Sequence, residues 1–228
     1  MEIQLFVADN GKCPYLDNLQ WISQMFKAEI LKGSVYESLL DLGFRRSGTY
    51  FYKNNCPGCH ECVPIRLEVD SFKMTTSQKR AWRKNQDITI TQKPVRFNPE
   101  DFDLYQQYCQ WKHASETATE ESYINFLIHS AVETIMVRYY HQSTLVGIGW
   151  LDILPKSLSS VYFAFHPEYR KRSLGVFSVL KEIEMARSMQ KPLLHMGFWV
   201  NNCSVMSYKK NYRPYQLLID KEWVHFDY

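Results

Sequence analysis

The hydrophobic and polar pattern is most informative near the middle of the C-terminal half. A run of β-branched and aromatic residues from Ser160 to Phe165 predicts a strand, which Pro167 ends. Beyond a basic turn, apolar residues recur at the spacing of a helix whose N-cap is Ser173. We therefore predict the order strand, cationic loop, helix. The apolar positions of that helix are Val176, Val179, Leu180, Ile183 and Ala186.

Elements of the same two types are predicted along most of the chain. The N-terminal 70 residues are expected to be irregular, apart from one helix and an aromatic strand after Gly43. The predicted helices cover residues 35–42, 72–87, 98–112, 120–129 and 201–211. The predicted strands cover residues 89–93, 134–140, 145–154, 159–165, 193–199 and part of 215–228.

This arrangement predicts an α+β fold in two domains. A small cysteine-rich domain is expected over residues 1–95, and a larger domain over residues 96–228. The larger part has two helices, an antiparallel meander, a basic loop that opens a helix, a further strand, a short helix and a closing strand. This plan resembles the GCN5-related acyltransferase (GNAT) fold, in which the loop and helix after the fourth strand hold the donor's phosphates.

The basic loop before the predicted helix is a candidate anion site. Arg170, Lys171 and Arg172 precede a helix N-terminus, where unpaired N–H groups and the helix dipole favour negative charge. A phosphate group is the anion we expect there. A solvated basic turn before an ordinary helix is the alternative.

Composition and overall charge limit the classes of protein only broadly. The 228 residues are 45% apolar, which is typical of a folded globular chain. No apolar run approaches the roughly 18 residues of a membrane span, and the N-terminus lacks a signal-peptide pattern, so a cytoplasmic protein is expected. A net charge of +3 does not by itself indicate a nucleic-acid partner.

The positive charge is nevertheless unevenly distributed. Seven Lys or Arg residues and one acid, Asp87, lie between Lys73 and Arg96. Cations beside Trp82 on a predicted helix suit an RNA backbone with a ring for base stacking, although a solvated basic helix explains the charges nearly as well. The candidate RNA-binding residues on this helix are Lys79, Arg80, Arg83 and Lys84.

Two arginines between glycines form a second candidate site. Arg45 and Arg46 lie within the segment from Gly43 to Gly48 and run into an aromatic strand. A rigid arginine fork beside aromatic residues can bind a carboxylate or phosphate through two hydrogen bonds. The alternative is a pair of surface arginines that flank a hairpin.

Clustered cysteines give the sharpest local signal. Cys56, Cys59 and Cys62 form a C-x-x-C-x-x-C motif, and Cys13 is the natural fourth ligand. Four thiolates suit zinc or an iron–sulfur cluster, and three cysteines at this spacing with one distant cysteine favour a [4Fe–4S] cluster. His60 could replace one ligand, and unliganded thiols in a tight turn are the alternative.

Seven ordered segments show a resemblance that spans nearly the whole chain. The sequence resembles the bacterial aspartate/glutamate leucyltransferases, relatives of the eukaryotic arginyl-tRNA-protein transferases. These enzymes move an amino acid from aminoacyl-tRNA to the N-terminal amine of a protein and mark that protein for degradation. The resemblance rests on CPYL at 13–16, GFRRSG at 43–48, CPGCHECVPIR at 56–66, SQKRAWRKN at 77–85, LSSVYFAF at 158–165, RSLGVFSVLKEIEMAR at 172–187 and GFWVNNCSVMSYKKNYRP at 197–214.

The resemblance implies roles for several of these residues. The cysteines would form the metal or iron–sulfur site of the N-terminal domain, and the basic helix and basic loop would contact tRNA. The acidic first residue of the acceptor protein needs a cation, for which Arg45, Arg46 and Lys209 are candidates beside Tyr208. The implied catalytic residues are Tyr162, Tyr208 and Lys209, and the implied substrate-binding residues are Arg45, Arg46, Ser173, Leu174 and Gly175.

Some positions depart from the family pattern. His166 and Gln216 stand where the family is expected to have Asp and Glu, and the stretch after His113 lacks the family's Gly-rich turn.

Leucine transfer to Asp or Glu is the expected activity, and arginine transfer by the same mechanism is the first alternative. An acetyl-CoA-dependent acyltransferase would need a glycine-rich pyrophosphate loop, whereas residues 170–175 contain one glycine. A non-catalytic RNA-binding module would leave the acyltransferase half without a purpose.

Overall fold

The protein, here a computed structural model, is described over residues 4–113, 118–201 and 203–227. Its N-terminal part forms a small sheet. The strands of this sheet are β1 (Phe6–Lys12), β2 (Gln20–Lys27), β3 (Arg45–Ser47) and β4 (Tyr50–Asn54), and helix α1 (Gly33–Asp41) follows β2. The four strands are antiparallel in the order β1-β2-β4-β3. Phe26 and Phe51 of this sheet pack against Tyr36 of α1 in a core cluster that also includes Ala131 and Leu154 from the later part of the chain.

The rest of the chain builds a larger sheet of eight strands. Its strands are β5 (Cys62–Glu68), β6 (Ile88–Pro94), β7 (Thr134–His141), β8 (Thr144–Ile153), β9 (Ser157–Phe165), β10 (Leu193–Val200), β11 (Tyr215–Ile219) and β12 (Glu222–Phe226). They lie in the order β12-β11-β5-β10-β9-β8-β7-β6. Every neighbouring pair is antiparallel except β9 and β10, which are joined by a helical crossover.

Helices cover both faces of the larger sheet. They are α2 (Thr76–Lys84), α3 (Pro99–His113), α4 (Glu120–Tyr123), α5 (Leu174–Ser188) and α6 (Ser204–Ser207), with a π-helical turn at Ile124–Ile128 and 3₁₀ helices at Pro167–Arg172 and Tyr208–Asn211. Successive residues of β8 serve the two faces, since Trp150 packs with α3 and α4 and Leu151 packs in the cluster that includes α5. The larger sheet is therefore the middle layer of three.

The parallel pair β9 and β10 is only three residues long. Ser157 to Ser159 pair with Leu193 to His195, where this pairing ends, whereas on its other side β10 pairs with β5 from Leu193 to Val200, with a register shift between His195 and Phe198. Gly197 lies in the irregular segment between them with a φ of +83°, a backbone conformation that favours glycine. Beyond Ser160 the two strands therefore diverge and open a wedge in the middle of the sheet, which we call the β9–β10 wedge.

Much of the predicted pattern is confirmed. The α+β class, the helix near residues 35–42 and the order strand, basic loop, helix at β9 to α5 all appear. The expectation that residues 1–70 are largely irregular is wrong, because five strands lie there. The change from the small to the larger sheet lies between residues 54 and 62, since β5 and β6 both belong to the larger sheet. The two-domain division at residue 95 stays a prediction. The stretch after His113 and part of the predicted 201–211 helix lie outside the described residues.

Within residues 4–113, 118–201 and 203–227, no helix is both long and apolar enough to cross a membrane.

Candidate functional site

Adjacent arginines on β3 have different partners in the larger sheet. Arg46 donates two hydrogen bonds to Asp152 of β8, at 3.0 and 2.6 Å, and both side chains are almost completely buried. Thr134 also donates to Asp152 at 2.6 Å, and Arg46 donates to the carbonyl of Gly48. Arg46 is therefore engaged in a buried ion pair that joins the two sheets. This leaves Arg45 as the arginine that faces the β9–β10 wedge.

Arg45 reaches the start of this wedge. Its guanidinium donates to the Ser160 carbonyl at 2.6 Å and to the Ser159 hydroxyl at 3.1 Å. A Cβ placed on Gly197, across the wedge, would lie 3.7 Å from the Arg45 guanidinium. Arg45 is only 7% exposed, so it brings a largely desolvated cation to the point where the strands separate.

Lys209 lies beside Arg45 on the β10 side. Its Nζ donates to the Phe198 carbonyl at 2.6 Å and lies 3.6 Å from the Cβ position of Gly197. Burial and the nearby positive charge of Arg45 lower the pKa of Lys209 to about 7. His195 of β10 is also buried, and burial together with Arg45 and Arg66 holds its pKa well below the usual value. Arg45 is thus the fixed cation of this part of the wedge, Lys209 is a second cation in its protonated form, and the imidazole at the base is neutral.

A carboxylic acid lies on the α5 side of the same wedge. Glu182 is 3% exposed, and one of its oxygens accepts a hydrogen bond from Ser160 at 3.2 Å. Burial raises the pKa of Glu182 to about 8. Glu182 was not among the residues predicted from the sequence, although an acid between Val179 and Ile183 interrupts the apolar face predicted for the helix.

The remaining predicted catalytic residues occupy different surroundings. Tyr208 lies in the 3₁₀ helix next to Lys209, and burial of its hydroxyl and the charge of Glu182 raise its pKa to about 12. Tyr162 packs with Tyr105 and other aromatic residues on the face covered by α3. The structure therefore brings Tyr208 and Lys209 together, while Tyr162 belongs to an aromatic cluster on the other face.

Of the residues at the start of α5, one lines a cavity and another packs in the core. Ser173, with a φ of 57°, lines a cavity of about 140 Å³ between α2, α5 and the 3₁₀ helix that carries Tyr208. Ser173 occupies the predicted N-cap position but makes no side-chain capping bond. Leu174 is 1% exposed and packs in the core, and Gly175 is half-buried with its carbonyl accepting from Ser178.

The two predicted basic segments lie side by side. Lys84, at the end of α2, donates to the Lys171 carbonyl at 2.6 Å, and Arg172 donates to the Lys84 carbonyl at 2.6 Å. Arg172 also pairs with Asp87, so its charge is partly neutralised. We call the combined exposed set the basic surface. Its residues are Lys79, Arg80, Arg83, Lys84, Arg170 and Lys171.

The four cysteines of the predicted metal site lie at one end of the small sheet. All are half-buried, and the Cys59 amide donates to the Cys56 carbonyl at 3.2 Å to close their turn. Burial and the proximity of Cys13, Cys56 and Cys59 raise the pKa of Cys62 to about 11. Among the described residues, no three His, Cys, Asp or Glu side chains lie in an arrangement that could hold a metal ion. Metal binding therefore stays a prediction that rests on the chemistry of four neighbouring thiols.

The positions that depart from the expected family pattern have local partners. His166 precedes the basic 3₁₀ helix and accepts a 3.4 Å hydrogen bond from the Glu168 amide. Gln216 of β11 accepts from Arg66 at 2.6 Å and donates to Glu68 at 2.6 Å. Gln216 thus links a cation to a carboxylate on the neighbouring strand β5.

The diverging parallel strands, the crossover helix and the flanking helices define a GNAT-like fold. The solved structure of FemX has this fold in common with the chain, with a TM-score of 0.50, 9% identity, and coverage of 91% of this chain and 84% of that one. At this identity the likeness concerns the fold alone.

The family is defined by sequence. The family model described as arginine-tRNA-protein transferase, C terminus, matches residues 100–219, and the corresponding N-terminus model matches residues 11–80. The aspartate/glutamate leucyltransferase of Hahella chejuensis is 37% identical over 93% of this chain and 92% of its own length. That of Teredinibacter turnerae is 34% identical over 99% and 95%. The chain belongs to the aminoacyl-tRNA-protein transferase family.

Proposed function

We propose that this transferase moves leucine from leucyl-tRNA to the N-terminal α-amine of proteins that begin with Asp or Glu. The curated relatives are named aspartate/glutamate leucyltransferases, and the matching family models are described as tRNA-protein transferases. The structural observation that supports the acceptor preference is the buried cationic side of the β9–β10 wedge, where Arg45 and Lys209 converge near Gly197. A reaction that uses charged tRNA further implies a cytoplasmic enzyme.

A small acidic side chain suits this position. Arg45 is largely desolvated, and a desolvated cation discriminates strongly between a carboxylate and a neutral or positive group. The guanidinium can bind the carboxylate while it keeps its bonds to β9. A basic first residue would place like charges together in a low-dielectric site, which explains a preference against Lys and Arg.

The transfer reaction requires the protein mainly to position the amine and the ester. The donor is an ester that is already activated, and an α-amine has a pKa of about 7.7 to 8.0, so part of it is neutral near pH 7. Orienting the amine against the ester carbonyl removes much of the entropic barrier. Because the edge of β9 beyond Ser160 has lost its pairing with β10, backbone N–H groups there can stabilise the developing oxyanion.

The basic surface is proposed to bind the tRNA. Its six cations are exposed and lie on α2 and the 3₁₀ helix, next to the cavity lined by Ser173 and Tyr208. Phosphate groups on the surface and the aminoacylated 3′ end in the cavity would bring the ester towards the wedge.

We also propose that Cys13, Cys56, Cys59 and Cys62 hold zinc or an iron–sulfur cluster. The group would cross-link the β1–β2 turn to the β4–β5 connection and so stabilise the small sheet that carries Arg45. No step of the transfer needs it.

The proposed donor and acceptor are tested by a transfer assay. Leucyl-tRNA and arginyl-tRNA are offered separately, with peptides that begin with Asp, Glu, Lys or Arg. We expect labelled leucine on the Asp and Glu peptides only. Transfer of arginine instead of leucine would contradict the proposed donor, and equal transfer to Lys peptides would contradict the proposed acceptor site.

Replacement of Arg45 tests the acceptor site. We expect Arg45→Met to raise the KM for an Asp peptide by at least about tenfold, with little change in the KM for charged tRNA, because the cation for the acidic side chain is removed. Thermal melting identifies a variant that simply fails to fold. An equal rise in both KM values would refute the assignment.

Replacement of exposed cations tests the basic surface. In Arg83→Ala/Lys171→Ala we expect a higher KM for charged tRNA and a slope of log K against log salt that is shallower by about 1 for each phosphate that the protein no longer neutralises. The acceptor KM should not change. Lys221→Ala is the matched control, since Lys221 lies in the β11–β12 turn at the opposite edge of the larger sheet. An unchanged salt slope in the double variant would contradict the proposal.

Elemental analysis tests the cysteine site. Protein purified without oxygen should contain zinc or iron, and Cys59→Ser should lose it together with several degrees of melting temperature. Cys109→Ala is the control, because Cys109 lies in α3. Wild-type protein without metal, or equal metal in Cys59→Ser, would contradict the prediction.

A further inference from the structure

Glu182 is a buried acid whose hydrogen bonding is incomplete. Among the described residues its Oε1 accepts from the Ser160 hydroxyl, while its Oε2 is buried without a partner. Burying a carboxyl group with one unsatisfied oxygen costs free energy that an apolar residue at the same position of α5 would not incur. The position therefore suggests a role beyond packing.

Ser160 joins this acid to the cationic side of the wedge. Its hydroxyl donates to Glu182 on the α5 side, and its carbonyl accepts from Arg45 at 2.6 Å. A cation and an ionisable acid thus approach a single residue of β9, at the position where pairing with β10 ends.

This pattern of charge is complementary to an N-terminal acidic residue. Such a residue carries an amino group and a carboxylate that are separated by two or three carbon atoms. With the carboxylate at Arg45, the amine comes to Ser160 and faces the acid rather than the cations. The same placement brings the amine to the free edge of β9, where the ester carbonyl is expected.

We propose that Glu182, acting through the Ser160 hydroxyl, receives the proton that the acceptor amine loses when it attacks the ester. The inference rests on the proposed function, because it assigns a role in the same transfer. Glu182 is a positioning residue in this scheme, and Ser160 is the group that touches the amine.

The step balances without another reactant. The neutral amine nitrogen forms a bond to the ester carbonyl carbon, and its proton passes to the Ser160 oxygen as the Ser160 proton passes to the Glu182 carboxylate. The bond between the carbonyl carbon and the ribose oxygen then breaks. The proton returns along the same path to the ribose oxygen, which leaves as a hydroxyl.

The surroundings of Glu182 suit a reversible proton acceptor. The titratable groups that interact electrostatically with Glu182 are the phenols of Tyr139 from β7 and of Tyr208 and Tyr212 after β10. Burial raises the pKa of all three phenols, so they stay neutral and Glu182 is the group that titrates near pH 8. A proton acceptor with a pKa close to that of the α-amine is well matched for transfer in both directions.

The test compares Glu182→Gln with Glu184→Gln. Gln keeps the size of the side chain and an oxygen that accepts from Ser160, but it cannot take a proton. Glu184 is an exposed residue of the same helix that pairs with Lys181, so it controls for loss of charge on α5. Transfer is measured with saturating substrates from about pH 6.5 to about pH 9, using whichever charged tRNA and peptide the wild-type protein accepts.

We expect the wild-type kcat to rise as the pH passes through about 8, since the carboxylate is the active form. Glu182→Gln should lower kcat by about 100-fold and abolish this rise, with an unchanged KM for charged tRNA and an unchanged melting temperature. Ser160→Ala should have the same kinetic effect. Glu184→Gln should behave as wild type.

Two results would overturn the inference. A Glu182→Gln protein with wild-type kcat would show that no proton passes to this residue, and a variant that keeps the rise near pH 8 would assign the rise to the substrate amine. A wild-type protein that prefers another donor or acceptor would instead contradict the proposed function. The choice of substrate pair and the effect of Glu182→Gln are separate measurements, so the two failures are distinguishable.

Discussion

The buried ion pair between Arg46 and Asp152 determines how the two sheets meet. A paired charge in this position is costly to bury, and removing one partner of such a pair typically costs about 3 to 5 kcal/mol. Successive residues of a strand point to opposite sides, so holding Arg46 against β8 directs Arg45 the other way, to the start of the β9–β10 wedge. The ion pair therefore affects function by fixing the position of Arg45. It places a second arginine where no hydrophobic contact alone would hold one.

The wedge itself follows from a short parallel pairing. Because β9 and β10 share only three residue pairs, polar backbone and side-chain groups in the centre of a sheet become available. Arg45 and Lys209 occupy one side of the opening and Glu182 the other, with Ser160 between them. Burial raises the pKa of Glu182 and lowers that of Lys209, so both titrate nearer to neutral pH than they would in water. Groups of this kind suit proton transfer better than fixed charges do.

Periodicity predicted the fold where each element has one buried face. The strands of the meander and the helices α3 and α5 alternate or repeat clearly, and they lie within a few residues of the predicted bounds. The aromatic strand after Gly43 was predicted and is β4, but the other N-terminal strands were missed because several are short or largely exposed, as in Phe6–Lys12, and leave little alternation to detect. The place of β5 in the larger sheet was not predicted for another reason: β5 joins that sheet through partners at residues 193–200 and 215–217. Pairing over such distances leaves no local signal.

The candidate site was predictable in part from the sequence. Its cations are of two kinds, those clustered on the basic surface and those buried singly in the wedge, and only the first kind shows as a local charge pattern. The basic surface is a local cluster of exposed charges, so a pattern of Lys and Arg reveals it, and its interaction with a polyanion depends on the number of charges. Arg45 and Lys209 act singly, in a desolvated position created by three separate strands. They were candidates because of the segment between Gly43 and Gly48 and the family resemblance, not because of the net charge of +3. Asp152 and Glu182 were hidden within apolar segments. For a site of this type, an acid inside an otherwise apolar strand or helix face is the sequence feature that calls for a functional explanation.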